Sequence, residues 1–170
     1  LGGTNKPYSI SLWALLKDTR NQNFILTPAG GGGNRFYFIV DTGTYFIGLG
    51  SQFKDTGIAP VTNAWQHLVV TYDGGSVLRL YVDGALRKEE SYTGDGQPAN
   101  GNMLIGSRDD GLLVINGTLD EVAIWNISLS SGIIAQHSGY GIDKSIYGNN
   151  ATVMNGSHIN FTNKKFGEAM

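Results

Sequence analysis

Apolar and polar positions alternate along most of the first 140 residues. In YSISLWALL, residues 8–16, Ile10 and Leu12 share one phase of the alternation, and Trp13 lies on the opposite phase. Four further runs repeat this period of two with aromatic and β-branched residues, namely RFYFIVD, TYFIGLG, HLVVTYD and LRLYVDG. Because successive side chains of a strand point to opposite faces of a sheet, the pattern predicts β-strands with one buried face.

Glycine-containing turn signals separate the predicted strands. Asp83-Gly84 predicts a two-residue hairpin turn, since these residue types accept positive φ angles. One segment, SLSSGIIAQHSG, has helical spacing, with Ser130 or Ser131 as its N-cap and Gly139 just after its end. Roughly ten strands with one short helical turn predict an all-β sandwich of antiparallel sheets.

Composition narrows the possible classes of protein. The 170 residues are 41% hydrophobic and 15% charged, which predicts one folded domain rather than a disordered chain. The net charge is −2 and no block of like charges occurs, so neither nucleic acid nor an anionic membrane is predicted as a partner. No apolar run approaches the length of a membrane span, and the absence of cysteine excludes thiol chemistry and disulfides.

Three segments carry a resemblance to a known family, and they occur in the family's order. AWQHLVVTYDGGSVLRLYVDGALRKEE, residues 64–90, resembles the central hairpin of laminin-G-like domains of the concanavalin A-like lectin/glucanase superfamily. LIGSRDD and the following INGTLDEVAIWNISLSSGIIAQH resemble that family's closing segment, which is also pentraxin-like, and YSISLWALL resembles an early strand. The resemblance implies a jelly-roll sandwich of two antiparallel sheets over residues 7–140.

The last part of the chain resembles the beginning of the same family's domain. DKSIYGNNATVMNG is similar to the family's opening loop and first strand, and KKFGEAM is similar to the turn that follows them. These phrases normally precede the strand that YSISLWALL resembles. We therefore predict a laminin-G-like body at residues 1–142, followed at 143–170 by a displaced or donated segment.

Catalysis is not predicted, although the superfamily that the chain resembles includes glycoside hydrolases. A retaining glycosidase needs two carboxyl groups about 5 Å apart. Glu89 and Glu90 are adjacent, as are Asp120 and Glu121, so the members of each pair point to opposite faces of a strand. The histidines show no metal-type spacing (His67, His137 and His158).

Calcium is the cofactor that the resemblance suggests, because it prefers oxygen ligands on loops. Asp109 and Asp110 stand where the similar pentraxin segment supplies acidic ligands, but the neighbouring Arg108 opposes a cation. A polar turn between strands is the alternative interpretation of these residues. Asp143, in the loop that opens the displaced segment, is a third candidate metal ligand.

Of the three tryptophans, Trp13 is the candidate for stacking on a sugar, because its phase predicts exposure. Trp65 and Trp125 are interpreted as packing residues. Five N-x-[ST] sequons occur, where about two are expected by chance from the Asn, Ser and Thr content. The excess predicts a glycosylated surface protein, with a turn-rich composition as the alternative; the candidate sites are Asn116, Asn126, Asn150, Asn155 and Asn160.

The predicted function is that of a noncatalytic extracellular or cell-surface module for adhesion, or for binding a glycan or protein surface, within a larger or repeating surface protein. The alternative is a structural subunit of a filament or array, in which residues 143–170 complete a neighbouring copy by strand exchange. A third hypothesis is that the chain is a portion of a tandem array, with residues 143–170 beginning the next repeat.

Overall fold

Ten strands and one helix follow each other in the part of the chain that the computed structural model describes, residues 6–26, 35–50, 52–93, 103–108 and 112–138. In chain order they are β1 (Tyr8–Leu16), β2 (Gln22–Leu26), β3 (Arg35–Asp41), β4 (Thr44–Gly50), β5 (Gln52–Asp55), β6 (Trp65–Tyr72), β7 (Val77–Val82), β8 (Ala85–Ser91), β9 (Leu104–Ile105), β10 (Gly117–Trp125) and α1 (Ser131–Ser138). The predicted segment at 143–170 lies outside the described residues.

The strands form two antiparallel sheets. Sheet A has the strand order β10-β1-β6-β7-β8, and sheet B has the order β5-β4-β3-β2-β9. One hydrophobic core contains buried side chains from both sheets. The arrangement confirms the predicted all-β jelly-roll sandwich with one short helix.

The core lies between the sheets because each long strand has apolar side chains on its inward phase. Ile10 and Leu12 of β1 are fully buried, as are Leu68 and Val70 of β6. Sheet B contributes buried aromatic rings, namely Phe24, Phe36, Phe38 and Tyr45. Burial of a large apolar side chain stabilises the fold by about 1.5–3 kcal/mol, so these alternating residues specify which face of each strand turns inward.

Helix α1 packs on the outer face of sheet A. Ile134 and Leu129 form a second buried cluster there with Val69 and Tyr81. Ser130 is the N-cap, because its carbonyl and hydroxyl oxygens accept hydrogen bonds from the first turn of the helix. The helix therefore covers part of the outer face of sheet A.

The hairpin between β7 and β8 turns at Asp83 and Gly84, whose φ angles are 51° and 78°. The predicted two-residue turn is thus confirmed. The Asp83 carboxylate accepts a hydrogen bond of 2.9 Å from the backbone N–H of His67, and the Asp83 N–H donates to the His67 carbonyl. This turn therefore ties the hairpin to the beginning of β6.

Candidate functional site

A cluster of three aromatic side chains lies on the outward face of sheet B. We call it the aromatic face, and it consists of Tyr37 on β3, Phe46 on β4 and Phe53 on β5. The rings of Phe46 and Phe53 are stacked, with centroids 4.5 Å apart and an interplanar angle of 24°. Tyr37 meets Phe53 edge to face at 5.2 Å. Phe53 is 38% exposed and the other two rings are partly exposed, so solvent reaches the cluster.

The register of sheet B brings these rings together. Gly48 of β4 lies directly between Tyr37 of β3 and Phe53 of β5. Because glycine has no side chain, the two rings meet across it. A Cβ at Gly48 would overlap the backbone carbonyl of Gln52, so the close approach of β5 also requires glycine at this position.

Polar groups border the aromatic face. The hydroxyl of Thr44 donates a hydrogen bond of 2.6 Å to the carboxylate of Asp55, which also accepts from the Gly57 N–H at 2.8 Å. These hydrogen bonds lower the pKa of Asp55 below its ordinary value, and the bond from Thr44 has the larger effect. An ionised carboxylate beside an apolar aromatic platform provides acceptors for hydroxyl groups.

Trp13, the predicted sugar-stacking residue, lies on the outer face of sheet A and is half-buried. Its ring packs against that of His67, with centroids 5.1 Å apart. His67 is 2% exposed, and its Nε2 lies 3.0 Å from the Ser11 hydroxyl. Trp13 therefore covers a buried histidine with part of its surface, and its role towards a ligand stays a prediction.

We expect acid to destabilise the protein through His67. Burial, with a smaller contribution from the charge of His137, lowers the pKa of His67 from its ordinary value of 6.5 to about 4. Between these pH values the unfolded chain binds a proton that the folded chain does not. The free energy of unfolding should therefore fall by about 2–3 kcal/mol as the pH falls from 6.5 to 4.

The test combines urea unfolding over this pH window with NMR titration of the His67 ring. A ring that titrates near pH 6.5 in the folded protein would contradict the prediction. The variant His67→Gln is the control and should have a flatter stability profile over the same window.

Asp18 contributes to stability at lower pH than His67. The hydrogen bond from Arg20 lowers the pKa of Asp18 to about 2, so the stability linked to Asp18 is lost only below pH 4.

The predicted calcium ligands Asp109, Asp110 and Asp143 lie outside the described residues. Within the described ranges, no group of three or more His, Asp or Glu side chains is placed to hold a metal ion. Calcium binding therefore stays a prediction.

Two of the predicted glycosylation sites lie in the described ranges, and their surroundings differ. Asn126 follows β10 and is exposed. Asn116 is partly buried, its side-chain nitrogen donates a hydrogen bond of 2.7 Å to Asp18, and its backbone N–H donates to Gln22 at 2.7 Å. Asn150, Asn155 and Asn160 lie outside the described residues.

Expression of the chain in a secretory host that attaches N-glycans should give higher occupancy at Asn126 than at Asn116. A glycan on Asn116 would be attached to the nitrogen that bonds Asp18 beside β2, whereas Asn126 is open to solvent. Glycopeptide mass spectrometry measures both occupancies in one sample. Equal or reversed occupancy would show that the folded surroundings do not control the modification. The Asn126→Gln variant, which should lose the glycan, identifies the peptide.

The acidic residues considered for catalysis have different surroundings. Glu89 is exposed and pairs with Arg79 at 2.7 Å, and Glu90 pairs with Lys88 at 3.2 Å. Glu121 has a φ of 48° inside β10, at a bulge where the register with β1 shifts between Ser11 and Trp13. The adjacency of Asp120 and Glu121 in the sequence does not predict this bulge.

Sequence reasoning did not select the aromatic face. The signal was present, since β3 and β4 carry Tyr37 and Phe46 at outward positions, where an antiparallel sheet facing solvent usually has polar residues. Contact with Phe53 was not predictable, because β5 has only four residues and its register with β4 sets the contact.

The sequence matches one family model, that of the concanavalin A-like lectin/glucanases superfamily, over residues 2–135. No curated protein matches the chain. In the described ranges, no helix has the length and apolarity of a transmembrane segment.

Several solved structures share this fold. Domain 4 of AbnA, an extracellular arabinanase from Geobacillus stearothermophilus solved with arabinotriose, has a TM-score of 0.67 at 21% identity and aligns over 82% of this chain and 69% of its own. A putative carbohydrate binding protein from Bacteroides ovatus has a TM-score of 0.67 at 17% identity, over 80% of this chain and 42% of its own. A heptameric SAP-like pentraxin from Limulus polyphemus has a TM-score of 0.61 at 14% identity, over 81% of this chain and 71% of its own.

Proposed function

The chain belongs to the concanavalin A-like lectin/glucanases superfamily, and we propose that it is a noncatalytic module that binds glycans through the aromatic face of sheet B. The observation that carries the proposal is the cluster of Tyr37, Phe46 and Phe53, with Phe53 38% exposed on an outward sheet face. The C–H faces of a sugar ring are apolar, and an aromatic ring covers them while the hydroxyl groups remain free for polar partners.

The polar border supports this proposal. The Asp55 carboxylate already accepts bonds from Thr44 and Gly57, so it is held in place before a ligand arrives. An oriented carboxylate beside stacked rings is the kind of well-placed polar group that gives a ligand site its specificity.

Two observations favour a noncatalytic role. The described carboxylates of β8 form ion pairs, Glu89 with Arg79 and Glu90 with Lys88, rather than facing each other. The polar residue beside the aromatic face, Asp55, is paired with a neutral hydroxyl group, and its lowered pKa suits a hydrogen-bond acceptor rather than a general acid. We place such a module outside the cell or on its surface, within a larger surface protein.

Replacement of Phe53 by alanine should weaken glycan binding about 5- to 30-fold, because a ring that covers a sugar contributes about 1–2 kcal/mol. Binding is measured by calorimetry with the best ligand from a glycan array, using arabinotriose as the first probe. The matched control is Leu86→Ala, which removes an exposed apolar side chain from β8 of sheet A.

The array is performed with calcium and with a chelator, which also tests whether Asp109, Asp110 or Asp143 contributes a metal site. Failure of the native protein to bind any glycan in either condition would refute the proposal. Equal losses in Phe53→Ala and Leu86→Ala would place the site elsewhere. The variant Trp13→Ala tests the other candidate stacking residue, and a loss confined to it would move the site to sheet A.

A further inference from the structure

The two edges of sheet A differ in the side chains that point towards the core. At the β8 edge these positions are charged, because Glu90 lies opposite the core residue Leu78 and Lys88 lies opposite the core residue Leu80. Lys88 and Glu90 also form an ion pair at 3.2 Å. Inward-pointing charges protect an edge strand against pairing with a further strand. The β8 edge is therefore closed.

The β10 edge has no such protection. Ile124 lies opposite the core residue Ile10, so it is on the inward phase of the sheet, and it is nevertheless 42% exposed. Leu119 and Val122 also pack against the core and are only partly buried. Among the described residues, no strand pairs with the outer side of β10. The core is therefore incompletely covered at this edge, and the β10 backbone is open to one more strand.

We propose that a segment within residues 143–170 of the same chain pairs with the outer side of β10 and adds a sixth strand to sheet A. These residues lie outside the described ranges. Their sequence contains two short runs with alternating apolar residues, ATVM at 151–154 and HINF at 158–161. A strand from either run has one apolar face, which would cover Ile124 and its inward neighbours on β10.

The chain is long enough to reach this edge. Helix α1 ends at Ser138, which lies beside Gly84 in the β7–β8 turn. From β7 to a strand beyond β10 is four strand spacings of about 4.8 Å each, or roughly 19 Å. An extended chain spans about 3.3 Å per residue, so about six residues after Ser138 cover this distance. Residues 139–170 therefore provide both the connection and a strand that matches β10 in length.

A second copy of the chain is a less favourable partner for β10. Antiparallel pairing of two β10 strands about their middle would bring Asp120 and Glu121 of one copy close to the same residues of the other, and like charges across a ladder destabilise it. Residues 143–170 instead carry a net positive charge, from three lysines against two acidic residues. A tethered segment also has an effective concentration in the millimolar range, which exceeds that of a second molecule in a micromolar solution.

The test is NMR of the full chain with one spin label. The sequence contains no cysteine, so a single introduced cysteine carries the only label. One label is attached through Thr118→Cys, at an exposed outward position of β10, and the matched label through Ser91→Cys, at an exposed position of β8. We expect the label on β10 to broaden resonances of residues 143–170 and the label on β8 to leave them sharp. A mixture of spin-labelled molecules with isotope-labelled, spin-free molecules reports contacts between copies.

Ile124→Lys should abolish this broadening, because it places a charge against the apolar face of the added strand. Leu86→Lys is its control, since it changes a similarly exposed apolar residue on β8, and it should leave the broadening intact. The double variant Val153→Asp with Phe161→Asp should abolish the broadening as well. Because both of its substitutions lie outside the described body, this result does not depend on how Ile124→Lys folds.

Four outcomes would overturn the proposal. They are no broadening from the label on β10, equal broadening from both labels, broadening that occurs only between molecules, and broadening that survives in both the Ile124→Lys and the double variant. The proposal is independent of glycan binding, because the aromatic face lies on sheet B. Ile124→Lys should therefore bind glycan as the native protein does, and a loss of binding in Phe53→Ala should leave the broadening unchanged.

Discussion

Replacing Phe38 by alanine should lower the free energy of unfolding by about 3–5 kcal/mol. Phe38 is fully buried in β3, and its ring packs against Phe24 at 5.1 Å and Tyr45 at 6.4 Å. Removal of the ring leaves a cavity that the rigid neighbouring strands fill only in part. Urea unfolding followed by tryptophan fluorescence measures the change.

Phe53→Ala is the matched comparison, since it makes the same chemical change on the outward face of the same sheet. Phe53 is 38% exposed on the edge strand β5, so its loss should cost about 0.5–1 kcal/mol. If the proposed function is right, Phe53→Ala binds glycan more weakly and keeps most of its stability. A larger destabilisation from Phe53→Ala than from Phe38→Ala would contradict the assignment of inward and outward faces.

Replacing Gly84 by alanine should have the second largest effect, about 2–5 kcal/mol. Gly84 has a φ of 78°, which alone costs an alanine about 1–2 kcal/mol. A Cβ there would also overlap the Ser138 hydroxyl and lie 3.2 Å from the Ala135 Cα of α1. Such overpacking costs about 1–3 kcal/mol more.

Gly43→Ala separates these two contributions. Gly43 has a φ of 87° in the β3–β4 turn, but a Cβ there would have no atom within 4 Å. The difference between the two variants therefore measures how tightly α1 docks on the β7–β8 hairpin. Hydrogen exchange should show faster exchange in α1 for Gly84→Ala only. Equal effects on stability and exchange would mean that the helix docking is loose.

The fold was largely predictable, because alternation of apolar and polar residues reports directly which side of a strand faces the core. The strands β1, β6 and β7 and the Asp83-Gly84 turn were all predicted from such local patterns. The candidate sites were less predictable. Trp13 was correctly assigned to the outward phase of its strand, but its packing on His67 depends on pairing with a strand more than 50 residues away.

The sequence by itself determined the sandwich, its strand phases, its hairpin turn and its family, because each depends on local periodicity or on an ordered series of motifs. Only the tertiary structure decided which side chains from different strands meet at the surface. The ring contacts of Tyr37, Phe46 and Phe53 depend on the register of three strands, and the outer surface of sheet A depends on a bulge at Glu121 and on the docking of α1. Register, bulges and docking are set by the total packing energy of the fold, which no local pattern contains.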